Sequence, residues 1–303
     1  MLAVLASIPS PSTNAVHLGR FQLRAYGLAI ALGVLAGYEL ARKRWRDYGG
    51  DPDDVGVIAI WAVPAGLVGA RLWHVMTDWR RFFGATGHPL DMFKIWQGGL
   101  GIPGGIIIGV AVGLVVGKRL GINLPVGLDM AAPCLPLAQA IGRFGNWFNQ
   151  ELYGGPTHLP WGLRIDPAHR IPGYEQYSTF HPTFLYEMLW NLAWVGILLW
   201  LDKRKVLRPG RLFVVYLGGY GLGRLWIEAM RVDPASHLLG LRVNIWTALG
   251  FIVLSAVLLV IGGVRRRPDD DFSPYVEGRG PRSAGGSEPR AEADEGIEHT
   301  TAD

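Results

Sequence analysis

The sequence predicts an all-α integral membrane protein with about seven transmembrane helices, its N-terminus outside and its C-terminus in the cytoplasm. Half of the 303 residues are hydrophobic and only 18% are charged, whereas about a quarter are charged in ordinary globular domains. Long apolar runs recur along the chain, each close to the roughly 20 residues that cross a bilayer core. The single cysteine excludes a disulfide framework, and the scattered basic residues argue against a nucleic-acid-binding protein.

Seven stretches are long and apolar enough to be transmembrane helices. Glycine and proline inside them are compatible with such helices. The third stretch is rich in glycine and the fourth contains Asp129 and Arg143, so five or six spans with re-entrant pieces are the alternative. The predicted spans are 22–41, 55–76, 99–117, 128–148, 182–201, 211–230 and 244–264.

Basic residues in the connecting loops predict the orientation. Loops 42–54, 118–127 and 202–210, with the three arginines after the last span, carry 13 positive charges in 35 residues. The other connecting segments carry seven over about twice that length, so we place the first group in the cytoplasm. Residues 1–264 form the predicted transmembrane domain. Residues 265–303 are rich in Pro, Gly, Ser and acids, which predicts a disordered cytoplasmic tail.

Ionisable side chains inside the spans are the most informative residues for function. Each costs at least ~2.5–3.5 kcal/mol at the bilayer centre, so it usually faces a water-filled cavity or a charged partner. Two groups of polar residues recur at helical spacing and form stripes. The stripe on the sixth span is Tyr220, Arg224, Glu228 and Arg231, and the stripe that ends the fourth is Gln139, Arg143, Asn146 and Gln150.

Each stripe has a central arginine, and together they predict an anionic ligand shared between two helices. A guanidinium binds phosphate through paired hydrogen bonds that an ammonium cannot copy. Arg224 and Glu228 could instead only neutralise each other, as buried ion pairs do, so both interpretations stay open for that pair. Arg143 is harder to explain in this way, because several amides and an acid follow it before a glycine pair at the membrane edge.

The segment GRFGNWFNQELYGG at 142–155 resembles the signature of the bacterial prolipoprotein diacylglyceryl transferases, Gly-Arg-x-Gly-Asn-x-x-Asn-x-Glu-x-x-Gly. Arg143, Asn146, Asn149, Glu151 and Gly154 occupy its positions. The resemblance spans about residues 20–262 and leaves out the tail. Other pieces follow in the family's order: RAYG at 24–27, GARLWHV at 69–75, WQGGLGIPGG at 96–105, HPTFLYE at 181–187 and YGLGRLWIEAMR at 220–231.

The resemblance implies a specific reaction. Members of this family move the diacylglyceryl group of phosphatidylglycerol onto the lipobox cysteine thiol of a prolipoprotein, forming a thioether and releasing glycerol phosphate. They act at the outer face of the bacterial cytoplasmic (inner) membrane. The implied partners are phosphatidylglycerol, prolipoprotein signal peptides with a lipobox cysteine, and the lipid bilayer. We expect no nucleic-acid partner, no metal and no cofactor.

The resemblance also implies roles for individual residues. Arg143 and Arg224 hold the lipid phosphate, while Asn146 and Glu151 shape the pocket around the head group. Tyr26, Tyr220 and Glu228 line the same cavity, and Gly154 allows close approach of the substrate backbone. Asn149 and His181 complete the predicted substrate-binding set.

One departure from the family's pattern concerns the proton acceptor. Many members carry a histidine, sometimes proposed as the base, where this chain has Pro103, so the base lies elsewhere or none is needed. A free thiol has a pKa near ~8.5 and needs activation at neutral pH. Glu151 is our first candidate for the base and His181 our second, although N-capping of the fifth predicted span explains His181 at least as well.

Cys134 lies among apolar residues and is expected to be inert, because burial disfavours a thiolate. The reacting thiol then belongs to the substrate. Three alternatives stay open. A transporter or flippase for an anionic lipid is disfavoured by the absence of a repeat. A serine hydrolase would have to use Ser255, which lacks a Gly-x-Ser-x-Gly elbow. A structural subunit would leave Arg143 and Arg224 unexplained.

Overall fold

The computed structural model describes residues 7–18, 21–84, 87–94 and 98–280, and this part of the chain is mostly helical. Three two-stranded antiparallel sheets lie at the ends of the helices: β1 (Ala15–Leu18) with β2 (Phe21–Arg24), β3 (Leu163–Arg164) with β4 (Thr179–Phe180), and β5 (His237–Leu238) with β6 (Leu241–Arg242). The helices are α1 (Ala25–Asp47), α2 (Pro52–Thr77), α3 (Trp79–Phe83), α4 (Ile102–Arg119), α5 (Leu124–Ala131), α6 (Cys134–Asn149), α7 (Thr183–Arg204), α8 (Arg211–Met230) and α9 (Val243–Gly262).

Each of the seven predicted spans contains a helix, and the protein is an all-α multi-pass membrane protein. In the described part of the chain, five helical units are long and apolar enough to cross a bilayer: α2, α4, the combined α5–α6 unit Leu124–Asn149, α7 and α9. Large apolar side chains point outward on them, such as Ile60, Met76, Val260 and Ile261 at 70–81% exposure, as on lipid-facing surfaces. The count of seven spans and the orientation stay predictions.

Small residues allow these helices to approach closely. A Cβ on Gly69 of α2 would lie 2.5 Å from the Gly104 carbonyl oxygen of α4, and one on Gly33 of α1 would lie 2.6 Å from that of Ala138 on α6. Membrane helices associate by such close packing, since lipid offers no hydrophobic driving force between them. The approach of α1 to α6 brings the start of α1 beside the signature segment.

A buried polar network joins the helices at one end of the bundle. Arg44 of α1 donates to the carbonyl oxygens of Asp129 and Met130 and pairs with Asp202 of α7 at 3.0 Å. The Asp129 carboxylate accepts from the backbone N–H groups of Gly210 at 2.6 Å and Phe213 at 3.0 Å, which caps the N-terminus of α8. Asp129, an ionisable residue inside a predicted span, therefore has a structural role.

The prediction of a disordered tail from residue 265 is wrong for residues 265–280, which lie against the same end of the bundle. Tyr275 forms a bridge with Ile122, and its hydroxyl donates to Asp54 at 2.5 Å and accepts from Asp51 N–H at 2.7 Å. Its ring meets the buried Trp45 edge-on at 5.7 Å, and burial raises the pKa of Tyr275 to about 12. Tyr275 is therefore one anchor of this polar segment; residues 281–303 lie outside the described part.

Residues 264–280, which we call the C-terminal strap, connect three of the loops predicted to be cytoplasmic. Beyond the Tyr275 contacts, Arg208 pairs with Asp270 at 2.9 Å and Leu207 forms a bridge with Arg265. Pro274 accepts a hydrogen bond from Asn123 N–H at 2.9 Å. Loops 42–54, 118–127 and 202–210 therefore lie at one end of the bundle, as the charge pattern requires.

The opposite end carries a small extramembrane layer between α6 and α7. Its core consists of buried Tyr153, Leu163, Ile165, Phe180 and Phe184. Ile8 pairs in parallel with Leu163, and Gly154 pairs with Arg231 at the end of α8. This layer fixes the ends of α6, α7 and α8 relative to one another.

Candidate active site

A chain of polar contacts runs along the end of α6. Arg143 donates a hydrogen bond from Nη1 to Asn146 Oδ1 at 3.1 Å, and Asn146 donates one from Nδ2 to Glu151 Oε1 at 2.9 Å. Asn149 donates to the same carboxylate oxygen at 3.2 Å. Four of the predicted site residues are therefore in direct contact, and the amides that follow Arg143 orient Glu151.

The local backbone explains how Glu151 reaches this position. Gln150 ends α6 in the left-handed conformation (φ 53°), and Leu152 has φ 59°. Such values cost free energy in non-glycine residues. Gln150 offsets this cost by donating to Asp166 at 2.7 Å and accepting from Asp166 N–H at 2.8 Å. The chain thus folds back, with Glu151 N–H bonded to the Asn146 carbonyl at 3.1 Å.

The predicted polar stripe on α6 therefore divides. Arg143 and Asn146 form the site, whereas Gln150 binds the extramembrane layer and Gln139 donates to the Tyr216 hydroxyl of α8 at 3.1 Å. Helical spacing alone could not predict that these side chains have different partners, because each partner comes from another part of the fold.

Tyr26, near the start of α1, lies against this segment. A Cβ on Gly145 would lie 2.6 Å from Tyr26 Cδ2, so glycine in the signature makes room for the ring. The Tyr26 phenol is half-buried and within electrostatic reach of Glu151 and Arg143. The structure thus places the start of α1 beside the signature segment, and the role of Tyr26 stays a prediction.

A second charged cluster is centred on Glu228 of α8, whose side chain is fully buried. Its Oε2 pairs with Arg224 at 2.8 Å and Arg231 at 3.4 Å. Its Oε1 accepts from Arg242 Nε at 2.6 Å and from Asn244 Nδ2 at 3.0 Å. A carboxylate in a membrane protein is stabilised there only by such dense pairing. The Arg224–Glu228 ion pair exists, but it is one part of a larger network.

Asp233 completes this cluster just beyond the end of α8. It binds Arg231 at 2.7 Å and Arg242 at 3.1 Å. Burial alone would raise the pKa of the Asp233 carboxyl, but the hydrogen bonds and charges of these two arginines outweigh burial and hold its pKa below the usual range. Sequence reasoning missed Asp233, Arg242 and Asn244, since they lie in a connecting loop and at the start of the next helix.

Glu187 of α7 adds a carboxylate to the first cluster, because its Oε1 lies 2.5 Å from Arg143 Nη2. The bridge between Gly154 and Arg231 brings the second cluster beside the same segment. The sequence marks Glu187 only as an ionisable residue within a span and as the end of the HPTFLYE piece. Four arginines (143, 224, 231 and 242) and four carboxylates (Glu151, Glu187, Glu228 and Asp233) therefore meet where α6, α7 and α8 end.

A family model described as prolipoprotein diacylglyceryl transferase matches residues 13–261. The chain belongs to the prolipoprotein diacylglyceryl transferase family. A phosphatidylglycerol–prolipoprotein diacylglyceryl transferase of Frankia alni is 53% identical over 275 residues, covering 90% of this chain and 72% of the relative. Transferase 1 of the same name from Streptomyces coelicolor is 48% identical over 292 residues, covering 96% and 83%. That of Cutibacterium acnes is 45% identical over 267 residues, covering 88% and 90%. The resemblance stated from the sequence is confirmed.

Within this transferase chain, Gly154 packs against the protein's own backbone. A Cβ there would lie 2.9 Å from His181 Cβ and 3.1 Å from the Met230 carbonyl oxygen. Gly154 N–H donates to the His181 carbonyl at 3.0 Å. Glycine is required at this position by the junction of the extramembrane layer with α7 and α8, whether or not substrate also approaches it.

His181 does not cap α7, so that explanation is wrong. The N-cap residue is Pro182, without a side-chain cap. The imidazole instead shares a hydrogen bond with the Tyr186 hydroxyl, with 3.2 Å between Nδ1 and Oη. Its role as a base stays a prediction.

Three other residues lie in helix packing. Tyr220 meets Phe251 of α9 edge-on at 5.7 Å. Cys134 is buried in the core cluster around Trp45, as predicted, and lies nine residues from Arg143 on α6, or about 14 Å along the helix. Ser255, on which a serine hydrolase would depend, donates to the Val214 carbonyl at 2.8 Å.

Proposed function

We propose that this chain transfers the diacylglyceryl group of phosphatidylglycerol to the lipobox cysteine thiol of prolipoproteins, with Arg143 and Arg224 binding the lipid phosphate. One observation carries the proposal: the signature arginine, Arg143, lies partly exposed beside the ordered Asn146–Glu151 pair, where a ligand can reach its guanidinium. The relatives' name gives the same donor and acceptor.

Two arginines at the ends of neighbouring helices suit displacement of a phosphate monoester from a glyceryl carbon. The substrate sulfur attacks that carbon, and the departing phosphate oxygen gains negative charge. Guanidinium groups stay protonated and hold phosphate bidentately, so they stabilise the leaving group at the moment its charge develops. The same cations favour the thiolate over the thiol.

The glycerol head group would be bound by Asn146, Asn149 and Glu151, because its hydroxyl groups can both donate and accept hydrogen bonds. Glu151 is the first candidate for the proton acceptor, because it is the carboxylate that the signature amides orient, and His181 is the second.

Tyr26 is proposed to line the cavity. Tyr220 packs against Phe251 and Glu228 is fully buried, so we propose that Glu228 acts by positioning Arg224.

The site lies at the end of the bundle opposite the C-terminal strap. Since the strap and its loops carry the basic excess, we propose that the site faces the outer surface of the bacterial cytoplasmic membrane. A prolipoprotein emerging there would bring its lipobox thiol to the bilayer edge.

A direct assay tests the function. The purified protein is incubated with phosphatidylglycerol and a peptide containing a lipobox cysteine, and the mass of the peptide is measured by mass spectrometry. We expect a diacylglyceryl mass on the cysteine and release of glycerol phosphate. An unmodified peptide, together with movement of lipid across vesicles, would instead support a transporter or flippase.

A further inference from the structure

We propose that Glu187 is a positioning residue that holds the Arg143 guanidinium and yields it to the substrate phosphate. This inference rests on the proposed function, in which Arg143 binds that phosphate. The ion pair of 2.5 Å between Glu187 Oε1 and Arg143 Nη2 is its first support. Glu187 is only 7% exposed and the Arg143 side chain is 23% exposed, so solvent weakens the pair less than it does at a surface.

The buried face of α7 is the second support. Thr183, Glu187 and Asn191 recur every four residues on that face, and all three are buried. Buried polar residues of membrane helices either hydrogen-bond to a neighbouring helix or line a functional cavity. Thr183 donates to the Leu152 carbonyl just beyond α6, whereas Glu187 is the member of the stripe that contacts Arg143.

Hydrogen-bond geometry explains why the pair competes with substrate. Arg143 uses Nη1 for Asn146 and Nη2 for Glu187, and a bidentate phosphate needs two parallel N–H groups of the same guanidinium. We place the phosphate on the edge that includes the Nη2 N–H now bound by Glu187, so that its binding displaces this carboxylate.

The charge balance leads to the same conclusion. The four arginines of the two clusters are matched by four carboxylates, so no surplus positive charge attracts the lipid phosphate as long as Glu187 stays on Arg143. Rearrangement of Glu187 supplies that charge locally, at Arg143, without moving a helix. The pair thus restrains ground-state binding of anions while holding Arg143 in the orientation that the reaction needs.

Glu187→Gln tests this role, because it keeps the size and one acceptor oxygen but removes the competing charge. The inhibition constant Ki of the product, glycerol phosphate, should fall about tenfold, the scale of one nearby unit charge. The kcat should fall as well, because Arg143 loses its anchor. Glu187→Asp keeps the charge on a shorter side chain, so its Ki should stay within about twofold of the wild type while kcat falls.

Glu39→Gln is the matched control, since Glu39 lies on α1 with its side chain 59% exposed; its Ki and kcat should equal the wild-type values. Because Ki does not depend on the amount of folded enzyme, poor expression does not affect the comparison. A merely structural role predicts less folded protein with an unchanged Ki, and that result would overturn the inference. Absence of transfer by the wild type would instead contradict the proposed function itself.

Discussion

The Glu228 carboxylate of α8 accepts a hydrogen bond from Arg242, with 2.6 Å between Oε1 and Nε. Arg242 lies at the end of β6, immediately before α9, so this bond connects two helices through the loop between them. Arg242 also binds Asp233. The cluster that contains Arg224 is therefore also held by residues outside the polar stripe of α8, and its geometry depends on the 231–243 loop.

Head-group choice provides the first prediction. Phosphatidylglycerol should be a far better donor than phosphatidylethanolamine, because the site offers amides for hydroxyl groups and cations that repel an ammonium. Initial rates with the two lipids in matched detergent micelles measure this preference. Equal rates would show that the head group is not recognised.

The membrane orientation provides the second prediction. In a Cys134→Ser background, a cysteine replacing the exposed His158 should react with a membrane-impermeant thiol reagent in intact cells. A cysteine replacing the exposed Arg204 should react only after the cells are opened. The reverse labelling pattern would show that the membrane orientation is opposite to the proposed one and that the site faces the cytoplasm.

The C-terminal strap provides the third prediction. Tyr275→Phe removes the hydroxyl bonded to Asp54 and Asp51 N–H, and leaving such partners unpaired costs about 1–3 kcal/mol. We expect the unfolding temperature in detergent to fall by a few degrees, and a chain ending at residue 263 to lose more. A chain ending at residue 280 is the control and should match the full chain. If Tyr275→Phe has the unfolding temperature of the full chain, the Tyr275 hydroxyl contributes no stability. If the chain ending at residue 263 has it as well, the strap contributes none.

The Asp233 carboxyl provides the fourth prediction. Its pKa in the folded protein is lowered, so its stabilising effect is complete above its unfolded pKa, near ~3.9, and is lost as the pH falls through the lower folded value. Asp233→Asn should therefore lower the unfolding temperature at pH 7, and this difference should shrink towards pH 3. A difference of the same size at both pH values would show that the charge is not the cause.

The helices could be predicted from the sequence because an apolar run of about 20 residues is typical of a transmembrane helix and rare in other structures. The grouping of loops 42–54, 118–127 and 202–210 followed from their basic residues, and the structure brings them to one end. The error concerned residues 265–280: the composition of the tail favours disorder, but Tyr275 packs beside Trp45 and Asp270 pairs with Arg208, and these tertiary contacts reverse that preference locally.

The candidate site could be predicted only in part. Arg143, Asn146, Asn149 and Glu151 are close in sequence, so their contacts follow from one helix end and its turn. Glu187, Asp233 and Arg242 come from other elements, and their contacts with Arg143 or Glu228 depend on how α6, α7 and α8 pack. No spacing rule within one element can supply such contacts.

The central claim is that Arg143 stabilises the phosphate and that the nucleophile arrives with the substrate. The most direct test compares the diacylglyceryl transfer rates of Arg143→Lys and Cys134→Ser, after both variants are shown to be folded. Arg143→Lys keeps the charge but loses bidentate geometry, so its rate should fall about 100-fold or more. Cys134→Ser should retain a rate close to the wild type, since Cys134 lies in the core around Trp45. A folded Cys134→Ser protein without activity, beside an only mildly impaired Arg143→Lys protein, would contradict the account.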